Sequence, residues 1–264
     1  MPQNNPVEIL FLSFCKQLLG VQKQTTNVGV LLELGQVPLI VLAQKNAIKN
    51  WVRIVTKTNC NKNVINSYDT SVLENLTWSS NIEKTLSEIG LREQFLSNDE
   101  SAHLKALQRL KDIFHQDAFS DIQRNNSKLR TYSLLKTTPG YEAYLSDIHS
   151  IKERTALTKL RLSNHTLMIE KGRHLNIDPN FRFCPFCPNT VEDEKHFLID
   201  CEPYHILRCE LFDKAKGYVP SLTQISKNQT FVTLMTSTCC ISSQFILKAT
   251  ELREFLLSKH KVPD

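Results

Sequence analysis

The chain has 264 residues, enough for about one or two domains with cores of their own, and its 41% hydrophobic and 22% charged residues are those of an ordinary globular protein. A formal net charge of +5 and a pI of 8.7 are mildly basic, which suits a nucleic-acid partner without specifying one. Seven glycines are few for an all-β fold built on tight turns, and the apolar run 30–43 is broken by Glu33, Gly35 and Pro38, so it cannot span a bilayer.

The start, MPQNNPVEILFLSF, has no basic region ahead of its apolar stretch and no small-residue cleavage site after it. An intracellular location, nuclear or cytoplasmic, is therefore expected. In such a reducing compartment the eight cysteines do not read as a disulfide framework.

Taken in chain order, the pattern predicts mostly helix. Residues 7–19 are apolar on most sides and end at Gly20; residues 27–34 follow a Thr-Thr-Asn cap signal and stop at Gly35. Pro38 suits a first helical turn. Beyond it Ile48, Trp51, Val52 and Val55 recur at i, i+3, i+4 and i+7, a buried face, while Lys45, Lys49, Arg53 and Lys57 recur every four residues along another. Residues 58–80 are polar and irregular and read as a linker. Helices are expected over 82–89, over 102–114 on Leu104, Leu107, Leu110 and Phe114, over 151–162, and across 164–170. A last one, 241–257, carries Ile241, Phe245, Ala249, Leu252 and Leu256 on one face. The expected fold class is mainly α, a helical array with one small CCHC zinc knuckle, in three segments: 1–58, 59–150 and 151–264.

The stretch FCPFCPNTVEDEKHFLIDC, residues 183–201, carries the most specific chemistry. Cys184 and Cys187 have the two-residue gap that lets thiolates on a tight turn reach one ion, and His196 and Cys201 complete a Cys3His set. Four protein ligands leave no open position, so one structural Zn²⁺ is expected and not a catalytic one. A short helix starting at Asn189 or Thr190 would put Glu192, Asp193 and Glu194 in its first turn. His196 and Cys201 lie five residues apart, about 140° around an ideal helix, so the chain has to unwind near Asp200. Pro203 then opens a new helix through 204–212. His205 and Cys209 follow on it as spare groups; Cys15, Cys60, Cys239 and Cys240 read as packing residues.

Three thiolates, a neutral imidazole and Zn²⁺ sum to a −1 complex, which does not attract phosphate. Flanking cations have to do that: Lys152, Arg154, Lys159 and Arg161 before the knuckle, then Lys171, Arg173, His174 and Arg182. The candidate nucleic-acid contacts are Lys45, Lys49, Arg53, Lys57, Lys159, Arg161, Lys171 and Arg173. Each set also reads as an ordinary solvated face.

LRLSNHTLMIEKGRH, CPFC, VEDEKHFLIDC and CEPYHILR together resemble the C-terminal region of non-LTR (LINE-like) retrotransposon reverse transcriptases and the animal proteins derived from them. FCKQLLGVQKQTTNVGVLLELGQVPL and AIKNWVRI are similar to the region after the polymerase thumb in the same proteins, and FVTLMTS and TELREF to their tail. Residues 59–150 match only loosely. A polymerase core needs clustered aspartates for two metal ions, and this chain has no Asp-Asp pair; Tyr68-Asp69-Thr70 lacks the second carboxylate. The resemblance therefore implies a non-catalytic tail that binds RNA or DNA, with no membrane and no small-molecule substrate. A protein-interaction scaffold and an inactive transposon remnant are the other readings.

Overall fold

The computed structural model describes residues 5–58, 60–74, 77–124 and 128–259. The fold is mainly α. Among these residues no strand forms; the extended backbone is limited to two isolated antiparallel bridges, Leu34 with Tyr141 and Phe183 with Val191. The helices are α1 (Pro6–Leu18), α2 (Asn27–Glu33), α3 (Leu39–Val55), α4 (Lys62–Leu73), α5 (Thr77–Glu88), α6 (Arg92–Leu96) and α7 (Ala102–Gln123). After them come α8 (Tyr132–Leu135), α9 (Tyr144–Asp147), α10 (Ile151–Arg161), α11 (Met168–His174), α12 (His205–Lys216), α13 (Lys227–Met235) and α14 (Cys239–Lys259). No single described helix is long and apolar enough to cross a membrane. The pair α13 and α14 reaches that composition only together, and it is bent by 96°.

The chain divides into two compact units, Met1–Phe11 with Gln36–Ser120 and Leu12–Gly35 with Asp121–Asp264. The expected segment boundaries at 58/59 and 150/151 do not coincide with this division, because residues 12–35 belong with the C-terminal half of the chain. Hydrophobic periodicity marks helices but carries no information on which distant helix completes a core.

In the first unit, α3, α5 and α7 bury Val41, Ile48, Trp51, Val52, Ile82, Leu86, Ala102, Ala106 and Leu110 in one cluster. The predicted face of α3 is inward as expected, with Val55 partly buried against the cluster. Trp51 is fully buried, stacks on Phe95 at 5.3 Å and donates its indole N–H to the Tyr68 hydroxyl at 3.0 Å. That contact explains why the expected linker is helical. Its polar sequence still supplies a cap, Asn61 accepting from the Asn63 N–H, and an inward Tyr68, while Ser71 and Ser79 bond each other in the interior. Within the linker, Asn59, Asn75 and Leu76 lie outside the described residues. α7 runs on past 114 to Gln123 and uses Ala102, Ala106 and Leu110 as its buried side, leaving Leu104 exposed.

In the second unit the centre is ionic. Glu33, at the end of α2, has no solvent exposure, and Arg161, at the end of α10, has 1%. Arg161 Nε donates to Glu33 Oε1 at 2.6 Å, its Nη2 to Glu142 Oε2 at 2.6 Å, and its Nη1 to the Met235 carbonyl at 2.9 Å. The hydroxyls of Tyr132 and Tyr144 also donate to the Glu33 carboxylate, at 2.8 and 2.5 Å. Burial and the Glu33 charge push both phenols well above their ordinary range, so both remain donors, while the carboxylates of Glu33 and Glu142 hold the Arg161 guanidinium charged against the desolvation that opposes it. Lys136 closes the network on Glu142 and the Gly140 carbonyl. At Gly35, with φ +60, a Cβ would stand 2.5 Å from the Tyr141 backbone nitrogen, so only glycine lets the end of α2 approach that segment.

Removing one member of such a buried pair strands the other charge. Arg161→Met and Glu33→Gln are each expected to lower unfolding free energy by about 3–5 kcal/mol. Denaturant titration measures this, and a loss below about 1 kcal/mol for both would remove the network from its central place.

Candidate metal centre and the basic positions

Residues 182–192 fold back on themselves. The Cys184 N–H donates to the Thr190 carbonyl at 2.7 Å and the Glu192 N–H to the Arg182 carbonyl at 2.9 Å. Asn189 turns the chain at φ +54, a region asparagine tolerates. The short helix expected from Asn189 or Thr190 is therefore absent; a tight turn stands there and holds Cys184 and Cys187 on one side.

The helical turn begins later. Asp193 accepts the His196 N–H at 2.7 Å, and residues His196–Asp200 wind as a single π-helical turn closed by the Cys201 N–H on the His196 carbonyl at 2.8 Å. This is the expected unwinding near Asp200 in specific form. An i→i+5 bond inserts an extra residue into the turn, so residues five apart return to the same side instead of diverging. Cys201 then leaves the helix with ψ 121, a 3₁₀ turn holds Pro203, and α12 begins at His205. Arg208 donates to the carbonyls of Leu198 and Cys201, tying α12 back to the wide turn; the Cys201 carbonyl also accepts the Tyr204 N–H at 3.3 Å.

The ligand atoms of Cys184, Cys187, His196 and Cys201 all lie within 4.8 Å of one another. The Cys201 sulfur is 3.8 Å from each of the sulfurs of Cys184 and Cys187. Tetrahedral metal–sulfur bonds of about 2.3 Å put sulfurs about 3.8 Å apart, so the spacing fits a bound ion. His196 is 6% exposed, yet neither ring nitrogen has a hydrogen-bond partner. A buried imidazole with both nitrogens orphaned is costly unless one of them meets a cation. Without an ion the sulfurs share protons unevenly. The hydrogen bond from Cys201 brings Cys184 down to about 4, while the Cys184 sulfur and burial push Cys201 well up. The Cys3His cluster can hold one metal ion.

Glu192 and Glu194, expected in the first turn of a short helix, have no exposure and anchor the centre. Glu192 accepts from Arg253 on α14 at 2.8 and 2.7 Å and from the Met168 N–H at 2.6 Å, which sets the start of α11 at Met168 and not at Asn164. Glu194 takes both Nη2 contacts of Arg130 at 2.8 Å and His165 Nε2 at 2.9 Å. Burial would raise its pKa, but His165 and Arg130 outweigh that and hold it at about 2. Sequence pattern gave no sign of these partners, which lie 29 to 64 residues away.

The basic positions separate into groups. Lys49, Arg53 and Lys57 are exposed and Lys45 half-buried, but Lys57 lies past the end of α3 with φ +55, so the row on the helix is Lys45, Lys49 and Arg53. Lys171 is exposed, Lys159 half-buried, and Arg173 partly engaged with Glu170 at 3.2 Å. Arg161 is corrected outright: its guanidinium is consumed by Glu33 and Glu142 and cannot reach a polyanion. Arg182 is likewise buried, on the carbonyls of Ile177 and Ile169. A charge run says nothing of which members a distant carboxylate will draw inward. Conversely, Lys16, Lys128 and Arg173, far apart in sequence, gather closely enough that, beyond the effect of burial, Lys128 lowers the proton affinity of Lys16 and Arg173 that of Lys128. Of the cysteines expected to pack, Cys15 is buried, Cys60 and Cys239 half-buried and Cys240 exposed; Cys209 and His205 are exposed and 3.7 Å apart, away from the ligand set.

Comparisons with protein-family models, curated proteins and solved structures found no match to this chain.

Cys201→Ser is expected to abolish stoichiometric metal binding, because it removes one of the four ligand atoms, a sulfur 3.8 Å from each of the other two. Chelation should loosen residues 182–201 while helical circular dichroism falls only slightly, since none of the four ligands lies on an α-helix. Elemental analysis showing metal retained by the Cys201→Ser protein would overturn the ligand assignment.

Proposed function

We propose that this chain is a non-catalytic nucleic-acid-binding module stabilised by one structural Zn²⁺. The observation that carries the zinc reading is the closed donor set: three cysteine sulfurs and one orphaned imidazole, all from protein, with tetrahedral spacing. Such a soft set suits zinc, contributes folding energy, and leaves no site for substrate. Cys184, Cys187 and Cys201 would bind as thiolates and His196 through one neutral nitrogen.

The nucleic-acid reading is supported by the resemblance to reverse-transcriptase tails and by the cation row on α3. Lys49 and Arg53 are exposed, while Lys45, seven residues before buried Val52, lies at the edge of the inward face and is half-buried. Like charges at i, i+4 cost a few tenths of a kcal/mol per pair, which a polyanion along the helix would relieve while releasing counterions. Lys57, just past the helix, extends the row; Lys159, Lys171 and Arg173 are the remaining contacts.

A protein-interaction scaffold is the second reading, and a specific observation favours it: α1 exposes Val7, Ile9, Leu10, Phe14 and Leu18, each by more than half.

Replacing Lys45, Lys49 and Arg53 together by Gln should flatten the plot of log affinity against log salt by up to ~0.9 per lost phosphate contact for duplex DNA, or ~0.7 for a single strand. Metal content and helicity should not change. A triple variant that binds RNA and DNA as the parent does at every salt concentration would reduce the row to solvated surface. No salt-dependent binding by the parent, together with a stable protein complex through α1, would replace the module by the scaffold.

A further inference from the structure

Between α10 and α14 lies an open cavity of about 420 Å³, within the usual range of ligand pockets. Ala156 and Leu160 from α10 and Ile246 and Leu247 from α14 give it an apolar part, beside the polar Thr155, Asn164, Thr166 and Thr250. His165, which also lines it, is held through Nε2 on the buried carboxylate of Glu194. Three charged side chains also line it. Lys152 and Lys159, seven residues apart, fall on the same face of α10 two turns from each other, and Glu254 comes from α14. Among the described residues none of these three makes an ion pair, unlike nearly every buried charge around them. The packing of these helices thus leaves an open, partly apolar slot with two cations and one acceptor that make no ion pair.

We infer that this cavity holds one nucleotide of a single strand, its base between Ala156/Leu160 and Ile246/Leu247 and its phosphate on Lys152 and Lys159. The inference deepens the nucleic-acid reading above and rests on it. The chemistry selects this class of ligand over its parts. A bare phosphate would use the lysines and leave the apolar slot filled with water. An uncharged aromatic molecule would use the slot and leave the cations unpaired. A nucleotide satisfies both, and its base adds N–H donors for the Glu254 carboxylate. Every base offers such a donor, an exocyclic amine in adenine, guanine and cytosine and the N3 imide in uracil, so the site accepts all four. It is also a single-strand site, because a paired base cannot enter a slot between two helices.

Titration of the metal-loaded full chain with AMP, CMP, GMP, UMP and inorganic phosphate, followed by ligand-observed NMR, tests this. All four nucleotides should bind about tenfold or more tighter than inorganic phosphate, the worth of one hydrogen bond to a charged group on the base. Glu254→Gln should narrow that preference, and Lys152→Gln with Lys159→Gln should weaken all four nucleotides toward the level of a nucleoside. These are partly or fully exposed positions, so the variants fold, and helicity checks that they do. Equal binding of phosphate and nucleotides, or indifference to the lysine pair, overturns the site. A single-stranded oligonucleotide is titrated in parallel. If the polymer binds and no mononucleotide does, the pocket inference fails and the module stands. If mononucleotides bind with the stated preference and the polymer does not, the pocket is a small-nucleotide site and the module fails.

Discussion

The ion pair between Glu33 and Arg161 is the constraint on which the second unit depends. Taking each charge out of water costs several kcal/mol, and attraction between the two offsets this only if every remaining donor and acceptor is also satisfied. Here the conditions are met one by one. Two tyrosine hydroxyls fill the carboxylate, Glu142 and a carbonyl from α13 fill the guanidinium, and Lys136 neutralises Glu142. Because the partners come from α2, α8, α9, α10 and α13, the requirement fixes five elements at once. An apolar core of similar volume would hold them together but would tolerate sliding; directional donors do not.

The same device recurs at the metal centre. Glu192 and Glu194 flank the ligand turn and are each held by an arginine from another element, Arg253 and Arg130. The ligands themselves are spaced by backbone geometry, a folded-back turn for Cys184 and Cys187 and a single π turn for His196 and Cys201. A metal ion would link these two short pieces of chain, and the buried carboxylates already link them to the helices. The centre is therefore positioned from outside and within, and loss of the ion alone leaves the outer ties intact.

Surface charge follows from what is left over. Arginines near the centre are drawn inward because their planar fork matches carboxylates and carbonyls in fixed geometry, as Arg130, Arg161, Arg182, Arg208 and Arg253 all do. Lysines, with compact and strongly hydrated ammonium groups, stay outside more often: Lys49, Lys152 and Lys171 are exposed, and Lys136, buried on Glu142, is an exception. The nucleic-acid contact proposed above would therefore rest chiefly on lysine, a point charge with little geometric selectivity.

The sequence by itself determined what depends on short spacing. Periodicity marked α1, α2, α3, α10 and α14; the Cys-x2-Cys gap with His196 and Cys201 marked the ligand set; a five-residue separation required the chain to unwind before Cys201. These features lie within one or two turns, where local geometry alone decides. Only the tertiary structure decided the rest. Residues 58–80 looked like a linker because their one decisive side chain, Tyr68, gains its meaning from Trp51. Arg161 looked like a surface cation because its carboxylate lies 128 residues away. Glu192 and Glu194 looked like helix-dipole partners because Arg253 and Arg130 are remote in sequence. A charged residue has the same letter whether solvated or paired, and which state it takes is set by the partner that folding brings to it.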